Sequence, residues 1–85
     1  MMEMKGRRYP DNTVAVKMGP GGYAFQDWTH PPHWQIRDPL ADIGSIRPEH
    51  HQVEVHEDGT ITVTPSIAGG NGPFHGFLTH GVWTW

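Results

Sequence analysis

The sequence predicts a mostly β fold: a small single domain of short antiparallel hairpins, with a long Pro-rich ordered loop and little or no helix. Three observations lead there. Gly and Pro number 11 and 8 among 85 residues, well above the roughly 12% that the pair averages. No window of about 11–18 residues free of Gly and Pro carries apolar residues at helical spacing. Short runs with alternating or β-branched residues (Thr13 to Lys17, Gln52 to Val55, Ile61 to Thr64) are instead bounded by turn residues.

Taken in order, residues 1–12 are polar and end in Tyr9-Pro10-Asp11-Asn12, a turn signature. They read as an N-terminal arm ahead of a β-rich domain spanning 13–85. Thr13 to Lys17 alternates as a strand does. The Gly-Pro-Gly-Gly of residues 19–22 then turns the chain into a return strand, Tyr23 to Gln26, giving a loose hairpin. From Asp27 to Pro48 the prolines Pro31, Pro32, Pro39 and Pro48 leave room for one helical turn, Pro39 to Ile43, favoured by Asp38 before Pro39. This stretch reads as the ordered loop, pinned by Trp28, Trp34, Ile36 and Ile46.

The next hairpin is the most sharply defined. A two-residue turn at Asp58-Gly59 would set His56 against Ile61 and mix polar with apolar residues on one face. A three-residue loop, Glu57-Asp58-Gly59, pairs Val55 with Ile61 and Val53 with Val63. It also sets Glu54 against Thr62 and Gln52 against Thr64. Register follows the face that is buried, so the three-residue loop is expected, with Gly59 left-handed in a bulged turn. Beyond Pro65-Ser66-Ile67 lies a Gly-rich loop, residues 68–73. The same arithmetic on the last segment takes Thr79-His80-Gly81 as its loop, pairing Phe77 with Trp83 and Leu78 with Val82. One face then holds His75, Phe77, Trp83 and Trp85, and the other Phe74, Leu78 and Val82. Strands apolar on both sides must be covered on both sides, and another chain is one way to provide the second cover.

Composition narrows the function classes. A domain of 85 residues buries only about 60–65% of its unfolded surface, and Leu, Ile, Val and Phe supply about 19% of this one. Four Trp and two Tyr add the apolar area that makes folding feasible, while the lack of Cys removes disulfides and all-Cys zinc sites. No run approaches the roughly 18 apolar residues of a membrane span. The start lacks the apolar region of a secretory signal peptide, so neither a membrane nor a secretory address is expected. Six Lys and Arg against nine Asp and Glu argue against a nucleic-acid module. The basic cluster Lys5, Arg7 and Arg8 reads as a solvated arm that pairs with an acidic neighbour, phosphate contact being the other reading.

Seven His are the chain's most distinctive chemistry. His30-Pro31-Pro32-His33 places two imidazoles three apart in a stiff segment, and His75 is a third candidate metal ligand. A structural zinc site takes about four ligands; His50, His51, His56 and His80 are further completions, with nothing in the sequence to choose among them. Against that stands the plainer reading of locally hydrogen-bonded loop histidines. Trp34, Trp85 and His75 are candidates for contact with a ligand. No nucleophile motif or phosphate-binding loop is present. Of the two serines, Ser45 and Ser66, the latter is expected to bond backbone after Pro65 with no base nearby, so an enzyme is not expected. Phe74, Phe77, Trp83 and Trp85 form either ordinary core, a protein interface or a stacking platform.

The stretch Asp58 to Trp83 carries Thr64-Pro65-Ser66-Ile67, then His75-Gly76-Phe77-Leu78 and Gly81-Val82-Trp83. It resembles a family of small uncharacterised bacteriophage proteins that share these elements across a Gly-rich gap. Relatives often carry Cys pairs resembling zinc ligands, one of them just before the His-Gly element. Gly72-Pro73 stands there in this chain, so only His75 would correspond by position. The resemblance brings no activity; it implies a virion part or an accessory protein in the infected host's cytoplasm. The expectation is a non-enzymatic phage structural or interaction protein, such as a minor tail or capsid-associated component. It would pack Phe74, Phe77, Trp83, Trp85 and the Lys5, Arg7 and Arg8 arm against copies of itself or a larger phage assembly. The alternative is a phage accessory protein that binds a small ligand or metal to counter host defence.

Overall fold

The computed structural model describes residues 1–68 and 72–85 and is mostly β. Its strands are β1 (Glu3–Lys5), β2 (Arg7–Arg8), β3 (Gly22–Gln26), β4 (His33–Arg37), β5 (Ile43–Ile46), β6 (Gln52–Val55), β7 (Ile61–Ala68), β8 (His75–Thr79) and β9 (Val82–Thr84). A large antiparallel sheet runs in the order β1-β9-β8-β7-β6, and a small sheet in the order β2-β3-β4-β5. Their inner faces meet in one core: Tyr23, Trp34, Ile36 and Ile46 from the small sheet against Ile61, Val63, Ile67, Leu78 and Trp83 from the large one. Phe74, just before β8, fills the same core edge-on to Trp83, with ring centroids 5.4 Å apart. Among the described residues, no helix is long and apolar enough to cross a membrane.

The stretch expected to be an arm contributes to both sheets. β1 pairs antiparallel with β9, β2 pairs parallel with β3, and the chain passes from one sheet to the other at Gly6. Gly6 donates to the Gly81 carbonyl at 2.7 Å, and Arg7 donates to that of Gly21 at 3.2 Å. A β-carbon on Gly6 would lie 2.9 Å from the oxygens of both Gly21 and Gly81 and from Trp83 Nε1. Only glycine fits so close an approach of backbones.

The hairpin expected at residues 13–26 does not form. Ala15–Lys17 is a 3-10 turn, and β3 pairs with β4 and the short β2 instead. The 13–18 segment lies across the outer face of the small sheet. Gln35 Oε1 accepts from the Ala15 N–H at 3.0 Å, and Gln26 Nε2 donates to the Thr13 carbonyl at 2.7 Å. Ala15 and Met18 are buried there, as are Ala24 and Gln26 on the outward side of β3. The alternation of Thr13 to Lys17 therefore marks a cover, not a strand.

The Pro-rich loop expected over 27–48 contains β4 and β5, paired from Trp34↔Ile46 to Arg37↔Ile43. Its prolines flank these strands without interrupting them, so no ladder N–H is lost. The helical turn expected after Asp38 is a tight reversal. Asp38 Oδ1 accepts from the N–H of Leu40 and of Asp42 at 2.8 and 3.1 Å, and Ala41 takes a left-handed φ of 73°. An Asp side chain closing its own turn is the mechanism that makes Asp a turn residue.

The β6–β7 hairpin has the expected register, Val53↔Val63 and Val55↔Ile61, with Gly59 at φ 86°. The β8–β9 hairpin does not: Leu78 pairs with Trp83, Phe77 with Thr84 and Thr79 with Val82. Its loop is the two-residue His80-Gly81, both left-handed at φ 46° and 74°, as a tight hairpin turn that follows the strand twist requires. Two contacts beyond the hairpin hold it, since Gly81 N–H donates to the Ile61 carbonyl and His80 N–H to Thr62 Oγ1, each at 2.9 Å. Trp83 and Phe74 consequently face the core with Leu78, while Phe77 faces outward. The hairpin is not apolar on both sides. Of the Gly-rich loop 68–73, residues 69–71 lie outside the described residues.

Trp83 is fully buried, and its indole N–H donates to the Gly21 carbonyl at 2.9 Å across the two sheets. Trp83→Phe should therefore lower unfolding stability in urea by about 2 kcal/mol or more, combining lost volume with the lost bond. Gly6→Ala should cost at least about 2 kcal/mol, because its neighbours are backbone oxygens that cannot move aside. Gly19→Ala, whose β-carbon would meet only Tyr9 Oη at 3.5 Å, should leave the urea midpoint almost unchanged.

Candidate functional site

A shallow cleft of about 370 Å³ opens on the outer face of the small sheet, in the part that the 13–18 segment leaves uncovered. Its floor comes from strand alternation: Trp34 and Ile36 point into the core, so His33 and Gln35 of β4 point out, with Ser45 of β5 beside them. One wall is the loop carrying Trp28, Thr29 and His30, and the other is Arg47, just past β5. A volume near the lower end of the small-molecule range suits a compact ligand.

The loop wall is built by polar contacts. Thr29 Oγ1 donates to the Gln26 carbonyl at 3.2 Å and accepts from the His33 N–H at 3.1 Å. Asn12 Oδ1 accepts from the Asp27 N–H at 3.0 Å. Trp28 is 57% exposed, yet its indole N–H donates to Oε1 of the fully buried Gln26 at 2.8 Å. The polar edge of the indole is thereby tied down while its flat surface stays in solvent. His33 Nδ1 lies 3.2 Å from the Pro31 carbonyl. A carbonyl only accepts, so that contact puts a proton on Nδ1, and in the neutral ring Nε2 is then an acceptor. Arg47 is exposed and forms no ion pair among the described residues, where Arg8–Asp11 at 3.6 Å is the one salt bridge.

The residues singled out from sequence fall in several places. His30 and His33 share the cleft, but His75 lies on the outward side of β8 in the other sheet. Among the described residues no group of three or more His, Cys, Asp or Glu is placed to hold a metal ion. Trp34 is buried in the core, edge-on to Phe25 at 5.4 Å. It borders a smaller groove of about 190 Å³, with Ile46 and Val53, between the edge strands β5 and β6.

Of the four aromatic interface candidates, Phe74 and Trp83 are core, Trp85 is half-buried against Phe74 at 5.8 Å, and Phe77 is exposed. Arg7 stacks on Tyr9, with its guanidinium carbon 4.6 Å from the ring centre. Arg8 sits 5.0 Å over Trp34 and donates to the Gly59 carbonyl at 3.1 Å. Lys5 is exposed on β1, in register with Val82. Trp28 and Arg47 were missed as site residues. The signal available was the alternation His33, Gln35, Arg37 against Trp34, Ile36, which marks a strand with a polar outer face next to the Trp28 to Pro32 segment.

Ser66 has the neighbour that the sequence did not suggest: its Oγ lies 3.0 Å from His75 Nε2. The bulge between Val63 and Ile67, at Pro65, brings the Thr-Pro-Ser-Ile and His-Gly elements together. His51 anchors the same bulge, with Nε2 at 3.1 Å from the Ser66 carbonyl. A further pair forms where two hairpin turns meet: the rings of His56 and His80 are 3.6 Å apart, and His56 Nε2 lies 2.7 Å from Thr62 Oγ1. Beside them the Asp58 carboxyl is held below its ordinary value, first by the Thr60 hydroxyl, then by the Thr60 N–H, with the two imidazoles adding to the effect. Burial pushes the Tyr23 hydroxyl upward; Arg8 opposes this, and Asp58 adds to it.

No family model, curated protein or solved structure matches this chain.

Asp58 yields a pH test. A carboxyl with a depressed folded-state value stabilises above its unfolded value and ceases to do so as pH falls through the folded one. Asp58→Asn keeps an acceptor for Thr60 but removes the charge. Its melting temperature should fall below that of the parent at pH 7, and the two should converge below the usual carboxylate range, about pH 3.9. A gap that persists unchanged in acid would mean that the charge is not what stabilises the turn.

Proposed function

We propose that this chain is a small non-enzymatic binding protein of bacteriophage origin, and that its working surface is the cleft beside Trp28, not the C-terminal hairpin. The single observation carrying the reading is an exposed aromatic, tied to a buried glutamine, in one cleft with an arginine that forms no ion pair among the described residues. The Trp28 N–H satisfies the buried Gln26 oxygen and at the same time holds an exposed ring at the border of a polar cleft, where it is available to a partner. The sequence resemblance supports the phage origin, and the lack of nucleophile motifs supports binding without turnover. The Ser66–His75 pair sits on the other sheet and has no part in this reading. On this view the protein captures a small molecule in the infected host's cytoplasm.

The test is native mass spectrometry of the full chain after incubation with a small-molecule extract of host cells. A stoichiometric adduct of small mass is expected, retained after chelator treatment, with a raised melting temperature when the ligand is in excess. Arg47→Ala should abolish most of the adduct while leaving the apo melting temperature within about 2 °C, because its side chain is exposed. Trp28→Ala should abolish most of it too, with an apo melting temperature several degrees lower, because the buried Gln26 Oε1 loses its donor; its adduct is therefore read well below that temperature. A chain that carries no adduct, or an adduct indifferent to both substitutions, would end this reading.

A second reading, a virion component that assembles on its own copies or a larger phage structure, is favoured by one observation. Phe77 is 53% exposed on the outward side of β8, and the edge strands β5 and β6 are both unpaired on one side. Such edges are templates for strand addition. Sedimentation velocity decides it: a multimer that Phe77→Ser converts to monomer supports assembly, and a monomer at all concentrations removes self-assembly.

A further inference from the structure

The cleft's chemistry specifies a class of ligand, and this inference rests on reading the cleft as a binding site. The chain carries a formal charge of −3 with nine Asp and Glu, yet none of the residues lining the cleft is acidic. Arg47 is a cation and His30 and His33 are imidazoles, so the cleft is locally positive on a negative protein. An unpaired guanidinium offers a planar fork of donors that matches phosphate or carboxylate oxygens two at a time. Trp28 borders the same cleft, and the bond from its indole N–H to Gln26 Oε1 anchors the ring there. A flat ring and a planar cation bordering one cleft suit a ligand that carries an aromatic ring and an anionic group.

The floor narrows the class further. Gln35 Oε1 is occupied by the Ala15 N–H, which leaves its Nε2 hydrogens as donors. In the neutral ring His33 Nε2 accepts, and the Ser45 hydroxyl does either. A bare aromatic acid would leave these groups unpaired, at a cost in affinity. A nucleobase, with donors and acceptors around its edge, pairs with them. The volume of about 370 Å³ accommodates one ring system and one acidic group, not a dinucleotide, and the net negative charge disfavours a polymer.

We propose that the cleft binds a free nucleoside monophosphate, with the base stacked on Trp28 and its edge read by His33, Gln35 and Ser45. The phosphate sits on Arg47. Binding is non-covalent and nothing is turned over.

The experiment is isothermal titration calorimetry of the full chain with AMP, GMP, CMP and UMP. Each is paired with its nucleoside, with inorganic phosphate and with a short single-stranded oligonucleotide. One monophosphate should bind one-to-one, with its nucleoside and free phosphate each at least about tenfold weaker, since stacking and the charge-assisted fork each contribute on that scale. Trp28→Ala and Arg47→Ala should each weaken binding by about tenfold or more, while Trp28→Phe and Arg47→Lys recover part of it. A nucleoside that binds as tightly as its monophosphate overturns the role of Arg47 and the class with it. So does an oligonucleotide that binds more tightly than any monophosphate. If none of the four binds at millimolar concentration while a cell-extract adduct still depends on Trp28, the nucleotide class fails and the binding cleft stands. If no adduct depends on Trp28 either, both fail.

Discussion

Everything in this fold hangs on the close approach of two backbones around one indole. Trp83 lies fully buried between the sheets and gives its N–H to the Gly21 carbonyl on the far side. Gly6, Gly21 and Gly81 make that approach possible, and at Gly6 a β-carbon would collide with two carbonyl oxygens and the indole nitrogen at once. A chain without cysteine, and with few aliphatic residues, cannot rely on core volume alone. It joins its sheets by two chain crossings, β1 to β2 and β5 to β6, and by the bond that satisfies the buried indole N–H inside the core. Gly6 is needed for the close approach itself, while Gly21 and Gly81 hold left-handed φ values of 85° and 74° beside it.

That junction also decides which surface remains for binding. Because the first eight residues are committed to both sheet edges, the next stretch is carried onto the outer face of the small sheet. There, Ala15 and Met18 bury part of it. β3 ends up covered on both sides, which is why Ala24 and Gln26 are as buried as core residues. Gln26 then serves two purposes, holding the Thr13 carbonyl with its amide nitrogen and the Trp28 indole with its oxygen. The uncovered remainder of the face, between Trp28 and Arg47, is the cleft. Its position follows from how far the cover reaches.

How much of this could be read from sequence varied with how far each decision reaches along the chain. The β6–β7 register was legible because Val53, Val55, Ile61 and Val63 must share a buried face, and one loop length alone achieves that. β4 and β5 were hidden by prolines that look like interruptions but stand outside residues 33–37 and 43–46. β1 and β2 are too short to carry a pattern, and their partners lie far off in sequence. Trp28 read as a pin for a loop, since a tryptophan is more often inside than out. Its exposure depends on a bond to Gln26 that no local pattern announces. His30 and His33 were legible as a pair, though not their companions, because strand alternation brings Gln35 and Ser45 to the same side only once β4 and β5 are recognised.

The β8–β9 turn shows how a single residue of register redirects function. With a three-residue loop, Trp83 would stand on the same side as Phe77 and His75, and the hairpin would be an aromatic surface seeking a partner. With the two-residue His80-Gly81 turn, Trp83 pairs with Leu78 and turns inward. Both registers bury apolar groups, so the hairpin's own residues do not choose between them. The choice is made by the neighbours: the Ile61 carbonyl and Thr62 hydroxyl grip the turn, while Tyr23 and Thr60 leave no room for a side chain at Gly81. Ile61 and Thr62 come from the adjacent strand β7 and Thr60 from the turn before it, while Tyr23 reaches across from the small sheet. The tryptophan that would have made an interface instead joins the sheets, and the binding chemistry passes to the face where a different tryptophan is left outside.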